Sequence, residues 1–273
     1  MKGRRVLIWT MTFLVMGGLL LAGCSPTPTP ATPAAPVATE ASAEAPSTEE
    51  MTPTAEVPSV VDEEGSMEGT LLDEALASIT PGALSPEEID GLLYMREEEK
   101  LARDVYLTLY EKWGTQVFRN ISRSEQTHTD AVKELLDRYG IPDPAEGKEV
   151  GQFTNPDLQA LYDQLVAQGS QSEIDALKVG AAIEEIDILD LEERLAQTDK
   201  EDIQLVYENL MAGSRNHLRA FVSVLEMRGE SYTPQYLDQA TYDAILSSGM
   251  EPGMGGMGGP GGHGPGGPPV SAP

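Results

Sequence analysis

The sequence predicts an all-α protein: an antiparallel four-helix bundle in which two helical hairpins are joined by one long crossover. Three observations predict it. Between about Leu71 and Ser248, strand-like alternation is nearly absent, while apolar residues recur at the spacing of one helix face. Helix-starting residues punctuate this region repeatedly. The intervals between the long periodic segments run short, long, short, which makes antiparallel neighbours of the first pair and of the second.

Each element has its own local reason. Ser85-Pro86-Glu87-Glu88 combines an N-cap, a proline at the first helical position and a capping-box glutamate, so a helix opens at 86. It runs to about Trp113 and stops at Gly114. The next spans about 116–139 and ends at Gly140, before Ile141-Pro142. A loop follows to Asn155-Pro156, which caps a short helix over about 156–168. Ser170 and Glu173 have capping-box spacing and open a helix over 171–196. Thr198 and Glu201 do the same for 199–227, before Gly229, and a short helix near 239–247 closes the domain.

The ends read differently. Lys2, Arg4 and Arg5 precede an apolar run from Val6 to Ala22, the pattern of a secretory signal peptide over residues 1–23. The run closes on Leu21-Ala22-Gly23-Cys24, which resembles the lipobox of bacterial lipoproteins, in which the cysteine is lipidated. The resemblance implies anchoring through Cys24 on the extracytoplasmic side of the cell envelope. Cys24 is the only cysteine, so no intrachain disulfide forms. Residues 24–70 are rich in Pro, Thr and Glu, and no Lys or Arg occurs between Arg5 and Arg96. Such a segment buries too little apolar surface to offset the entropy of ordering, so it reads as a disordered, self-repelling tether. Residues 249–273, rich in Gly, Met and Pro, read as a disordered tail; their methionines and His263 are of the type that takes a soft ion such as copper(I), though composition favours a plain tail. The folded domain is thereby bounded at 71–248. A formal net charge of -27 excludes nucleic acid as a partner and argues against electrostatic docking on anionic lipid.

The chemistry sits inside the apolar stripes. In the 116–139 helix the stripe Ile121, Glu125, His128, Val132, Leu135 carries a carboxylate and an imidazole one turn apart, on one face. In the 199–227 helix, His217 stands in the middle of Leu210, Ser214, His217, Phe221, Leu225. In the 171–196 helix, Glu184 interrupts Leu177, Ala181, Glu184, Ile188, Leu191, Leu195, with Glu185 beside it. The first long helix offers both Glu98 and Glu99, between which periodicity does not choose. Taken singly, the glutamates read as a solvated face and His217 as a hydrogen-bonded core histidine. Together they place a carboxylate or imidazole near mid-length on every long helix, the constellation that a carboxylate-bridged metal site requires. An unpaired charge in such a stripe is costly, so partners are required.

These segments resemble rubrerythrin-type ferritin-like proteins. The stretch EKLARDVY is similar to the family's first helix, where a ligand Glu is followed by Ala at +3 and an aromatic residue at +7, which selects Glu99 over Glu98 and places Tyr106 beside the ligands as a hydrogen-bond partner or redox-active neighbour. SEQTHTDAVKELL resembles the E-x-x-H helix and implies Glu125 and His128 as ligands. AAIEEIDILDLEE resembles the third helix and implies Glu184, with Glu185 as fallback. In the fourth helix the family's second E-x-x-H becomes Ser214-Arg215-Asn216-His217, so the histidine is kept and the carboxylate is a serine. Asp187 is then a substitute carboxylate, and Arg103, Asp104, Arg215 and Asn216 are candidates for orienting the ligands. The resemblance is closest to a ferritin-like domain family of prokaryotic secreted proteins in which this SRNH helix recurs.

What the resemblance implies is one or two iron or manganese ions inside the bundle, with ferroxidase or peroxide-consuming activity. A single cysteine builds no rubredoxin-like centre, so electrons come from a separate donor. The alternative is a metal-free helical module that binds another envelope protein.

Overall fold

In the computed structural model the described residues are 60–62 and 65–251. They form α1 (Gly69–Ser78), α2 (Pro86–Trp113), α3 (Gln116–Tyr139), α4 (Pro156–Gly169), α5 (Glu173–Leu195), α6 (Glu201–Met227) and α7 (Gln239–Ser247). The only extended pairing among the described residues is an isolated antiparallel bridge between Val61 and Met67. The protein is an all-α four-helix bundle of α2, α3, α5 and α6, with α4 inside the long crossover.

Local chemistry sets the helix ends. The Ser85 hydroxyl accepts from the Glu88 backbone N–H, and the Glu88 carboxylate accepts from that of Ser85, so the capping box is complete. Gly114 and Gly140, at φ of 70° and 65°, terminate α2 and α3 in the left-handed region. Asn155 caps α4 as its sequence implies. Two expected caps are relocated. Helix α5 is capped by Ser172, not Ser170, and Thr198 does not cap α6; its hydroxyl donates to Glu88 across the bundle. That tertiary bond joins the start of α2 to the turn before α6.

The core is two apolar layers with a polar layer between them. One holds Val105, Tyr106 and Leu109 of α2, Phe118 and Ile121 of α3, Leu177 and Ala181 of α5, and Phe221 and Leu225 of α6. The other holds Leu92 and Met95, Val132 and Leu135, Leu191, and Val206 and Leu210 of the same four helices. The opposite order of the layers along α2 and α3, and again along α5 and α6, shows each hairpin to be antiparallel. Between the layers, every helix presents buried polar side chains.

The expected tether boundary moves. Val60, Val61 and Met67 are buried in the second layer, although residues up to 70 read as tether, and α1 covers that layer with Leu72 and Leu76. Acidic flanks masked a few apolar residues that dock on an existing surface. Residues 24–59, 63 and 64 of the expected tether, with Cys24, lie outside the described residues, as do residues 1–23 with the proposed signal peptide and the 249–273 tail beyond Glu251. Within that tail, Glu251 pairs with Arg215 and Arg219. No described helix is long and apolar enough to cross a membrane.

Glu185, a fallback ligand in the sequence, has a structural role. It is fully buried and accepts hydrogen bonds from the Tyr232 hydroxyl and the backbone N–H groups of Gln235, Tyr236 and Leu237. It thereby pins the segment between α6 and α7. Glu185→Ala leaves these donors buried without an acceptor, at about 1–3 kcal/mol for each group stranded. Thermal unfolding of the variant is expected to show a clearly lowered midpoint with helical content retained at 20 °C.

Candidate metal centre

The five charged residues of α2 that begin at Arg96 are all buried, because helix, crossover and hairpin partner surround α2 there. Each faces a different neighbour. Arg96 forms a two-pronged pair with Asp143. Glu97 accepts from the Thr154 and Asn155 backbone N–H groups. Lys100 pairs with Asp104 and donates to the carbonyls of Glu149 and Gln152. These bonds fasten the crossover to α2. Glu98 and Glu99, between them, turn inward.

Glu99 meets α3. His128 Nδ1 lies 3.0 Å from Glu125 Oε2 and 3.3 Å from Glu99 Oε2. Across the bundle axis, His217 Nδ1 lies 2.8 Å from Glu125 Oε1 and 3.5 Å from Glu184 Oε2. The two imidazoles stack with centroids 5.3 Å apart. Glu125 is thus shared, one oxygen to each histidine. Ligand atoms of Glu125, His128 and His217 lie within 4.8 Å of one another, and all three residues are buried. Of the sequence-predicted ligands, Glu99, Glu125, His128, Glu184 and His217 come together at one depth. Tyr106 sits behind them, its hydroxyl donating to Glu184 Oε1 at 2.6 Å.

Ser214, where the sequence resemblance implied a carboxylate, is bonded to one on α5. The Ser214 hydroxyl donates to Asp187 Oδ2, so the aspartate one turn after Glu184 is held at the edge of the centre. Its other oxygen, Oδ1, has no hydrogen-bond partner. The four residues suggested as orienting groups lie elsewhere. Arg103 pairs with Asp104, and Asp104 with Lys100. Arg215 pairs with Glu251, and Asn216 accepts from its backbone N–H.

Three groups at the centre carried no recognisable signal. Ser124 Oγ is 2.9 Å from His217 Nε2. The Gly65 carbonyl accepts from His128 Nε2 at 2.5 Å, from a position read as tether. Gly65 has a φ of 89°, and a Cβ there would stand 2.6 Å from His217 Nε2, so both backbone and space demand glycine. Gly213 is the counterpart on α6, where a Cβ would meet the His128 ring at 2.6 Å. The Val60-Val61 pair and the Gly65-Ser66 turn were the available hint. The segment is held by Val60 N–H donating to Asn209 and Met67 N–H donating to Thr127.

The donor set fits a metal ion. A carbonyl oxygen only accepts, so His128 Nε2 carries its hydrogen and Nδ1 faces the carboxylates. His128 Nδ1 and His217 Nδ1 are both buried without an aligned hydrogen-bond partner, despite their closeness to carboxylate oxygens. Two nitrogens and shared carboxylate oxygens gathered around one point are satisfied by a cation, or by protons in its place. Without an ion, burial opposes charge on His217, but Glu125 and then Glu184 outweigh it and raise its pKa to about 9. Burial pushes Glu99 up to about 7, against the pull of His128. Burial also works against ionised Glu125, yet the two histidines hold its carboxyl below the usual range.

The signs follow. A raised histidine contributes stability that is complete below about pH 6.5 and lost as pH rises through about 9. The protonated Glu99 contributes likewise, lost between about 4.5 and 7. Ion-free protein is therefore expected to lose stability from pH 6 to 9, whereas divalent-cation affinity rises over that range as ligands release protons. Unfolding curves with and without Mn²⁺, and calorimetric titrations in buffers of differing ionisation enthalpy, check both.

Comparison with known proteins places this architecture. The chain is 58% identical over 181 residues to the uncharacterized protein MJ0754 of Methanocaldococcus jannaschii, spanning 66% of this chain and 98% of that one. The crystal structure of the hypothetical protein MJ0754 superposes with a TM-score of 0.62, covering 63% of this chain and 99% of the other. Residues 88–249 match the family described as an uncharacterized protein domain, DUF2202, a span that holds the four bundle helices but for the first two residues of α2, together with Glu99, Glu125, His128, Glu184 and His217. The chain belongs to the DUF2202 family.

Proposed function

We propose that the protein is a lipid-anchored, extracytoplasmic metal-binding protein of ferritin-like type, holding iron or manganese within its bundle. The observation that carries the reading is the convergence of Glu125 with two buried imidazoles from different helices, each with an Nδ1 that lacks an aligned partner. Glu125, His128 and His217 would hold the ion, with Glu99 and Glu184 completing the donor set from α2 and α5. When bound, iron or manganese supplies one-electron redox chemistry toward oxygen or peroxide.

The chain's own residues prepare the place. Gly65 O fixes the tautomer of His128, and Ser124 orients His217. Tyr106 steadies Glu184 through its hydroxyl and closes the site against the apolar layer below. Asp187, held by Ser214, adds negative charge at the edge. The apolar layers on both sides exclude water, which strengthens each electrostatic contact. Ferroxidase or peroxide-consuming turnover is the activity this arrangement suits, with electrons delivered by a separate donor.

Metal analysis of the purified protein, coupled to oxygen or peroxide consumption, is the direct test. Near-stoichiometric iron or manganese is expected. His128→Ala and His217→Ala should each cut bound metal by roughly tenfold or more, as losing an essential ligand does, while helicity by circular dichroism persists. A folded protein that takes up no metal, or retention of metal by both variants, would favour a metal-free binding module.

Anchoring is tested separately. The basic, then apolar, segment ending at Cys24 supports it. Cys24→Ala is expected to leave the protein unprocessed or release it from the membrane fraction on cell fractionation. Correct cleavage with unchanged membrane retention would count against lipid at this residue.

A further inference from the structure

The seam between α2 and α5 contains buried carboxylates that the metal centre does not use. Glu98 is only 4% exposed; no nitrogen or hydroxyl donor reaches its carboxylate oxygens, and its one hydrogen-bonding neighbour is another carboxyl, that of Asp190. It feels the charges of Asp190, Asp187 and Glu99. Asp187, with Oδ1 unpartnered, feels those of Glu99, Glu125 and Glu184. Glu99 in turn presents Oε2 to His128 while its Oε1 has no partner. At the outer end, Asp190 is half-buried and accepts from the Tyr94 hydroxyl at 3.0 Å. Asp190 is therefore at the surface end, Glu98 and Asp187 are buried behind it, and Glu99 is at the histidine.

Such a series is expensive to bury, and the charges that Glu98 feels most, those of Asp190, Asp187 and Glu99, are all of its own sign. Nor do its oxygens join the close-set group of Glu125, His128 and His217. Oxygens strung along a path, rather than gathered about a point, suit a cation in passage. The remaining sides of the centre are obstructed. Helices α2 and α3 pack closely, as do α5 and α6, and α4 covers the α2/α5 seam beside the first apolar layer, so the route concerns the Tyr94–Asp190 end of that seam. The seam of α3 with α6 is covered by Gly65 and its neighbours, bonded to Thr127 and Asn209.

We propose that the Asp190–Glu98–Asp187 series at the α2/α5 seam is the entry route by which a hard divalent cation reaches the buried centre. The proposal rests on the metal-binding reading above. Each carboxylate offers a transient oxygen ligand, so the ion sheds water stepwise rather than crossing an apolar layer bare. Asp190 collects the cation from solution, Glu98 receives it inside, and Asp187 passes it to Glu99, whose second oxygen already faces His128.

The test separates rate from capacity. Co²⁺, which gives visible absorption on acquiring nitrogen ligands, is mixed rapidly with the full-length chain, and final occupancy is measured by elemental analysis. Glu98→Gln and Asp190→Asn are expected to slow loading by about tenfold or more while final Co²⁺ per chain stays unchanged. Asp130→Asn, an exposed carboxylate on α3, removes the same charge and is expected to load at the wild-type rate. Circular dichroism establishes that each variant is folded. Unchanged loading rates in both seam variants would overturn the route. So would a fall in final occupancy that matches the fall in rate, since these residues would then be ligands. Faster loading when Thr127→Val loosens the opposite seam, with Glu98→Gln silent, would place entry there instead. Wild-type protein that binds no Co²⁺ would overturn the metal-binding reading itself, and the route with it.

Discussion

Glu125 is shared between His128 and His217, and the middle of the bundle is arranged around that sharing. A carboxylate in an apolar interior is tolerable only with compensating positive charge or protons close by. Here one oxygen faces an imidazole on its own helix and the other an imidazole from α6, which ties α3 to α6 at one depth. Everything near that point is fitted to it. Gly213 and Gly65 are small because the His128 and His217 rings occupy the space that a Cβ would need. The imidazoles keep their orientation because Gly65 and Ser124 hold their outer nitrogens.

The polar layer also explains how α2 carries a run of charges into the interior. A helix facing one neighbour buries one stripe; α2 faces α3, α5 and the crossover and so buries its whole girth over that turn. Each charge then needs its own partner. Arg96, Glu97 and Lys100 find theirs in the crossover, whose backbone N–H and C=O groups would otherwise lack partners of their own. The crossover is thus fastened by charge-assisted bonds, while the tightly packed hairpins are fastened by apolar contact. Glu98 and Glu99 point away from these donors and into the polar layer of the bundle.

The departure at Ser214 is less severe in three dimensions than in the sequence. A serine cannot supply an anionic ligand, yet its hydroxyl holds Asp187 at the same edge. The polar layer is asymmetric: imidazole nitrogens and the shared Glu125 carboxylate toward α3 and α6, and further buried carboxylates toward α2 and α5.

Most of the fold was legible in the sequence. Capping residues, terminal glycines and apolar stripes are local signals, and the boundaries of α2 and α3 coincide with those expected. The E-x-x-H pair and His217 stood out because polar residues inside an apolar stripe require partners. What local pattern could not decide was the direction of adjacent residues on helices covered from several sides. Neighbouring positions differ by about 100° around a helix, so Glu98 and Glu99, or Glu184 and Glu185, each satisfy some interior face. The stripe and the family resemblance favoured Glu184, and packing then brought it to His217 and gave Glu185 to the backbone of the segment after α6. Tertiary structure likewise decided that Val60, Val61 and Gly65 belong to the domain. Their polar surroundings show no periodicity, and their burial depends on a surface that exists only once α3 and α6 have come together.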